Sequence, residues 1–142
     1  MTENSRVEFK SKLTDDLEKE IVAFLNSDGG VIYIERDEER AYKLSNIDEI
    51  QLKIKDKLKH NISPSILGLF DIVVEEFKGE KIIKINIASG TEKPYYIKKK
   101  GMSEKGCFVR IGSSSEPMSS KMIEELFSKR VRTTLRNIIS PR

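Results

Sequence analysis

Three groups of residues in this chain carry side chains able to do chemistry. The first is acidic. Glu3 and Glu8 lie before and on the strand pattern "RVEFKSKL", and Glu35, Asp37, Glu38 and Glu39 follow a second strand pattern, "GVIYIE". If these two strands are neighbours, Glu8 and Asp37 converge, and paired carboxylates can hold Mg²⁺ or Mn²⁺ and activate a water for phosphodiester cleavage. No spacing motif accompanies them, and a charged turn with a solvated strand end accounts for the same residues. The second group is basic: "KKKGMSEK" gathers Lys98, Lys99, Lys100 and Lys105 at the tip of an expected hairpin, with Tyr95 to Lys98 as one arm and Cys107 to Ile111 as the other. The third is "CFVRIGSSS". Arg110 there offers a bidentate fork for phosphate, while Gly112, Ser113 and Ser114 offer N–H and hydroxyl donors. A salt-bridged arginine and a helix-capping serine run is the competing account. Because the lysines and Arg110 share one hairpin, a phosphate-contacting β-arm is the functional reading.

Other chemistries find little support. Gly29-Gly30 sits at a helix-to-strand turn in "AFLNSDGGVIYIE". A phosphate cradle needs the reverse order, so that helix N–H groups face the anion. A left-handed helix cap feeding a strand is the expectation. His60, the sole histidine, is expected at a helix end rather than as a base, and Cys107, the sole cysteine, in the core rather than as a nucleophile. A serine nucleophile lacks both a second histidine and a G-x-S-x-G elbow.

These groups need elements to position them. Thr14 reads as an N-cap, with Asp15, Asp16 and Glu18 in a first turn. Leu17, Ile21, Phe24 and Leu25 then recur at helical spacing to about Ser27. "GVIYIE" is apolar on both faces and reads as a central strand. "AYKL" is a candidate short strand after a charged turn. A second helix runs from about Asn46 to Lys59 on the stripe Ile47, Ile50, Ile54 and Leu58, and Pro64 fixes the break that follows. In "FDIVVEEFKGEKIIKINIAS", Phe70, Ile72 and Val74 alternate into a Lys-Gly-Glu turn and Ile83, Ile85 and Ile87 alternate out of it, a β-hairpin. A last helix is expected from Ser119 or Ser120, burying Met122, Ile123, Leu126 and Phe127. The order describes an α+β fold: a mixed sheet with about three helices.

With 142 residues the chain is the size of one domain. It has no apolar run of membrane-spanning length and no secretory h-region, and a single cysteine forms no internal disulfide. The cytoplasm is the expected compartment, with no membrane partner. Charge is uneven: residues 1–50 carry −6 and residues 51–142 carry +9, for a total of +3. A basic half points to a polyanion partner. Lys129 to Arg142 is basic without an acid and reads as a tail, the start of a linker or further domain, that could extend the last helix.

Taken in order, "VEFKSKL", "IVAFLNSDGGVIYIE", "ISPSI", the hairpin, "KPYYIKKKG" and "FVRIGSSS" resemble the Alba-like domain of the Schlafen family over roughly residues 3–128. The matching positions are Glu8-Phe9-Lys10; Ala23-Phe24, Asn26, Asp28, Gly29 and Gly30; Lys93-Pro94-Tyr95-Tyr96; and Arg110, Gly112, Ser113 and Ser114. One departure is plain. Where the family has Gly-Val-Asp and a second glycine after the strand, this chain has "ERDEERAYKL" and no glycine from 31 to 67, so that turn is built differently. The resemblance implies a DNA-binding or transcriptional-regulator domain, often followed by further domains. Some animal Schlafens carry a three-carboxylate endoribonuclease site, for which Glu3, Glu8 and Asp37 are the matching positions, with Mg²⁺ or Mn²⁺ as metal.

The preferred expectation is a nucleic-acid-binding domain of a transcriptional regulator, taking DNA before RNA and needing no cofactor. Lys98, Lys99, Lys100, Lys105, Arg110, Ser113 and Ser114 would contact phosphate, with the arginine-rich tail as a further candidate. The alternatives are the metal-dependent endoribonuclease and a dimerisation or scaffold module acting as a homodimer.

Overall fold

A computed structural model describes residues 3–10, 16–34, 39, 41 and 46–139, with side chains as far as 131. The chain orders as β1 (Val7–Lys10), α1 (Leu17–Leu25), β2 (Gly30–Ile34), α2 (Ile47–His60), β3 (Ile62–Ser63), β4 (Phe70–Phe77), β5 (Glu80–Ile87), β6 (Tyr96–Ile97), β7 (Phe108–Ile111), β8 (Ser114–Pro117) and α3 (Ser120–Ile139). The main sheet runs β1-β2-β5-β4, with β1 parallel to β2 and the other pairs antiparallel. This is the expected α+β fold. Its strand β2 lies between β1 and β5, and both of its apolar faces are covered, Ile32 and Ile34 in one cluster and Val31 and Tyr33 in another.

Alternation in β4 and β5 sets their register. Phe70 faces Ile87, Ile72 faces Ile85 and Val74 faces Ile83, and the turn places both Lys78 and Gly79 at positive φ, 50° and 83°. One face of the sheet buries Ile32, Ile34, Ile83, Ile85 and Ile87 against Leu17, Ile21, Phe24 and Leu25 of α1 and Ile54 and Leu58 of α2. The other face carries a smaller cluster of Phe9, Tyr33 and Ile82, with the two rings stacked 5.4 Å apart.

Helix α1 is buried almost all round, because β7 and β8 cover the side turned away from the sheet. Its exit is the double-glycine turn. Gly29 has φ +74°, and a Cβ there would lie 2.5 Å from the Ile87 carbonyl oxygen. A Cβ on Gly30 would lie 2.6 Å from both the Arg6 carbonyl oxygen and the Phe24 ring. The first glycine supplies the left-handed cap, and the second lets β2 slide in beside β1. The turn is structural, as its helix-to-strand order indicates.

Several elements differ from expectation. Tyr95–Lys98 and Cys107–Ile111 do not pair as hairpin arms. β6 pairs with β3, and β7 pairs with β8. Both β3 and β8 fall in stretches the sequence marks as a break and a loop, since two residues before a proline and a serine run carry no alternating pattern. α3 continues to Ile139, so the basic segment is helical that far. Only Ile123 of its expected apolar face is buried; Leu126 is half-buried, and Met122 and Phe127 each keep 41% of their surface exposed. Thr14, Asp15 and Asp37 lie outside the described residues, as does most of "AYKL". Among the described residues no helix is long and apolar enough to cross a membrane.

Candidate nucleic-acid interface

The four lysines lie on a loop that folds on itself. The Ile97 carbonyl accepts from the Lys100 and Gly101 amides at 2.9 and 3.0 Å, and the Ser103 carbonyl accepts from Gly106 and Cys107 at 3.0 and 2.8 Å. The Ile97 amide closes the base by donating to the Gly106 carbonyl at 2.9 Å. A Cβ on Gly106 would lie 2.0 Å from the Gly101 carbonyl oxygen, so the two glycines permit the two turns to stack. Beneath the loop, Cys107, Met118 and Ile123 form a satellite core that also receives Tyr96 and Met102. Cys107 is thus the expected core thiol, and burial pushes it up to about 11. On this base Lys98, Lys99, Lys100 and Lys105 all stand exposed.

Asn26 fastens the loop to the body. Its Nδ2 donates to the Tyr95 and Phe108 carbonyls at 2.9 and 3.0 Å, and its Oδ1 accepts from the Tyr95 amide at 2.7 Å. Tyr95 and Phe108 flank the lysine loop on either side, so one buried amide holds both of its stems. Ser27 continues the clamp, its Oγ accepting from the Arg110 amide at 2.9 Å. The polar residues ahead of the glycine pair are there because α1 ends against the strands that carry the loop.

Arg110 is placed differently from an exposed phosphate fork. Its side chain is 1% exposed and turned inward. Nη1 lies 2.9 Å from Glu8 Oε1, 3.2 Å from Glu20 Oε2 and 3.2 Å from Ser115 Oγ, and Nη2 donates to the Asn4 carbonyl at 2.7 Å. The guanidinium carbon sits 4.6 Å over the Phe24 ring. Arg110 therefore ties β7 to β1 and α1, the salt-bridged alternative. Ser113 and Ser114 are exposed in the β7–β8 turn, where Ser114 Oγ donates to the Ile111 carbonyl at 3.2 Å. That turn lies at the far end of β7 from the lysines, ~10 Å along a strand of this length, so the two do not form one arm.

Glu3 and Glu8 do come together. Glu3 Oε2 accepts from the Phe9 amide at 3.0 Å, and Glu3 also hydrogen-bonds to the Glu8 side chain. Burial pushes Glu8 up to about 7; the Arg110 hydrogen bond pulls it down, and Glu3 and Glu20 raise it. Asp37, the third matching position, lies outside the described residues. Among those described, no three His, Cys, Asp or Glu side chains are set to hold a metal ion. Of the two described carboxylates, Glu8 faces the Arg110 guanidinium at 2.9 Å and Glu3 accepts from a backbone amide at 3.0 Å.

Glu20 is the participant that sequence reasoning missed. It had a signal. At i+3 from Leu17 and i−4 from Phe24 it falls inside the apolar stripe of α1, and a carboxylate there needs a buried cation.

Comparison with known proteins gives the family and the fold. Residues 3–119 match the family model described as Schlafen, AlbA_2. Among solved structures, the DIP2311 protein of Corynebacterium diphtheriae superposes with TM-score 0.60 at 18% identity, covering 86% of this chain and 23% of that one. The N-terminal domain of a RecG-related protein of Nitrosomonas europaea superposes with TM-score 0.57 at 18% identity, covering 81% and 78%. The chain thus spans about a quarter of the Corynebacterium protein's length. No curated protein matches it. With the family model spanning most of the sequence and the fold shared with these structures, the chain belongs to the Schlafen AlbA_2 family.

Proposed function

We propose that this chain is a nucleic-acid-binding domain, taking DNA before RNA, of a transcriptional regulator. The observation that carries the reading is the lysine loop: four exposed ammonium groups on a turn closed by its own backbone and clamped by Asn26. A preorganised loop spends little ordering entropy on binding. Lysine contacts to phosphate give affinity with little sequence choice. The fold also recurs in the N-terminal domain of a protein named for its relation to an ATP-dependent DNA helicase. Ser113 and Ser114 offer hydroxyls on a separate turn, and Arg110 acts through position, holding β7 in place rather than touching phosphate.

The test is a fluorescence-anisotropy titration of labelled DNA and RNA duplexes between about 50 and 200 mM salt. Binding that weakens steeply with salt, and is tighter for DNA, supports the reading. Undetectable or salt-insensitive binding refutes it. Against the endoribonuclease alternative stands the Arg110–Glu8 pair at 2.9 Å, which commits one of the three matching carboxylates to a structural cation.

A further inference from the structure

We propose that the C-terminal turn of α2 belongs to the same surface, so that Lys59 and His60 join Lys98, Lys99 and Lys100 along one nucleic-acid backbone; this rests on the function proposed above. The sequence separates these groups by nearly forty residues, and the short β3–β6 ladder brings them together. Ile62 faces Ile97 and Ser63 faces Tyr96, and the pairing extends one step further as the Lys98 amide donates to the Asn61 carbonyl at 2.8 Å. Lys59 and His60 are the two residues before Asn61, and both are exposed.

The end of α2 is held firmly enough to present them. Ile54 and Leu58 are fully buried, the Asn61 amide donates to the Lys57 carbonyl at 2.9 Å, and Asn61 Nδ2 donates to Glu18 Oε2 at 2.8 Å. Lys57 lies 3.7 Å from the same Glu18 carboxylate and is engaged there. The acids nearest in sequence are Asp56, exposed on α2, and Glu104, whose Oε1 accepts from the Ser120 amide at 3.2 Å. A helix C-terminus carries roughly half a negative charge, so basic residues in the last turn of α2 have a local role. Lys59 and His60 exceed that need, since Lys57 already occupies the same turn. Charge complementarity with a polyphosphate backbone selects nucleic acid as the occupant.

Three variants of the chain test this by anisotropy with a labelled DNA duplex across a salt series. They are the double variant K59A/H60Q, the triple variant K98A/K99A/K100A, and K53A as a control on an exposed lysine that pairs with Glu49 on α2. The double variant should bind several-fold more weakly, with a salt slope shallower by about 0.9, one lysine–phosphate contact, while K53A binds as wild type. If K59A/H60Q matches K53A and the triple variant is weakened, the inference fails and the lysine-loop reading stands. If the triple variant also binds as wild type, both fail. Unchanged melting temperatures confirm that the substitutions, all at exposed positions, report on binding.

Discussion

Replacing Asn26 by alanine removes the clamp and tests how the lysine loop is held. Asn26 is 7% exposed and makes three hydrogen bonds, at 2.7, 2.9 and 3.0 Å, to the backbone of Tyr95 and Phe108. An ordinary hydrogen bond contributes about 1 kcal/mol net, and a buried partner left unsatisfied costs about 1–3 kcal/mol. The Tyr95 amide loses its acceptor outright, while the two carbonyls lose one donor each. Together these predict a loss of about 3 kcal/mol. With a urea m-value of about 1.5 kcal/mol/M, that lowers the unfolding midpoint by about 2 M. Asn26→Asp is the informative companion: it keeps the oxygen for the Tyr95 amide but sets a buried charge against two carbonyls, so it should be no better than alanine. Hydrogen exchange adds a local readout, since the Tyr95 amide should lose protection. A loss under about 1 kcal/mol for N26A, with Tyr95 still protected, would refute the clamp.

Three further outcomes follow from the buried ionic cluster. Arg110→Ala leaves Glu8 without its cation and Glu20 with only Lys10, 3.4 Å away, and should cost about 3 kcal/mol, the lower end of the scale for breaking a buried pair; a loss under about 1 kcal/mol by urea unfolding would contradict the inward placement. Glu8 binds its proton more tightly folded, at about 7, than at its ordinary 4.5. Its contribution is therefore fully present below pH 4.5 and is lost as pH rises through 7, by at most about 1.4 kcal/mol per unit. Glu8→Gln should flatten the stability profile in that window, and an unchanged profile would remove Glu8 as its source. Structured RNA incubated with Mn²⁺ should stay intact, whereas cleavage abolished by Glu8→Ala would move the assignment to the endoribonuclease.

Much of the frame was legible because its signals are local. The stripe of α1, the alternation of β4 and β5 and the two-faced apolarity of β2 each state a period and a burial. The lysine cluster and the Gly29-Gly30 turn were legible for the same reason, each being a short run of charge or of glycine between periodic segments. What stayed hidden depends on contacts distant in sequence. The β3–β6 pair consists of two residues against two, too short to show a period. Arg110 resembled a ligand fork because its partners Glu8 and Glu20 lie 102 and 90 residues away. The role of Asn26 had no local signal, because its amide reaches 69 and 82 residues ahead. The face of α3 at Met122 and Phe127 was assigned to the core from spacing alone, which marks an apolar stripe but not whether anything covers it.

The most direct measurement is the salt dependence of DNA binding by the wild-type chain beside K98A/K99A/K100A. Each phosphate neutralised contributes about 0.9 to the slope of log affinity against log salt. Three lysines in contact with DNA predict a slope shallower by roughly 2–3 in the triple variant, with folding unchanged. An identical slope in the two proteins would contradict the assignment of the lysine loop as the nucleic-acid interface.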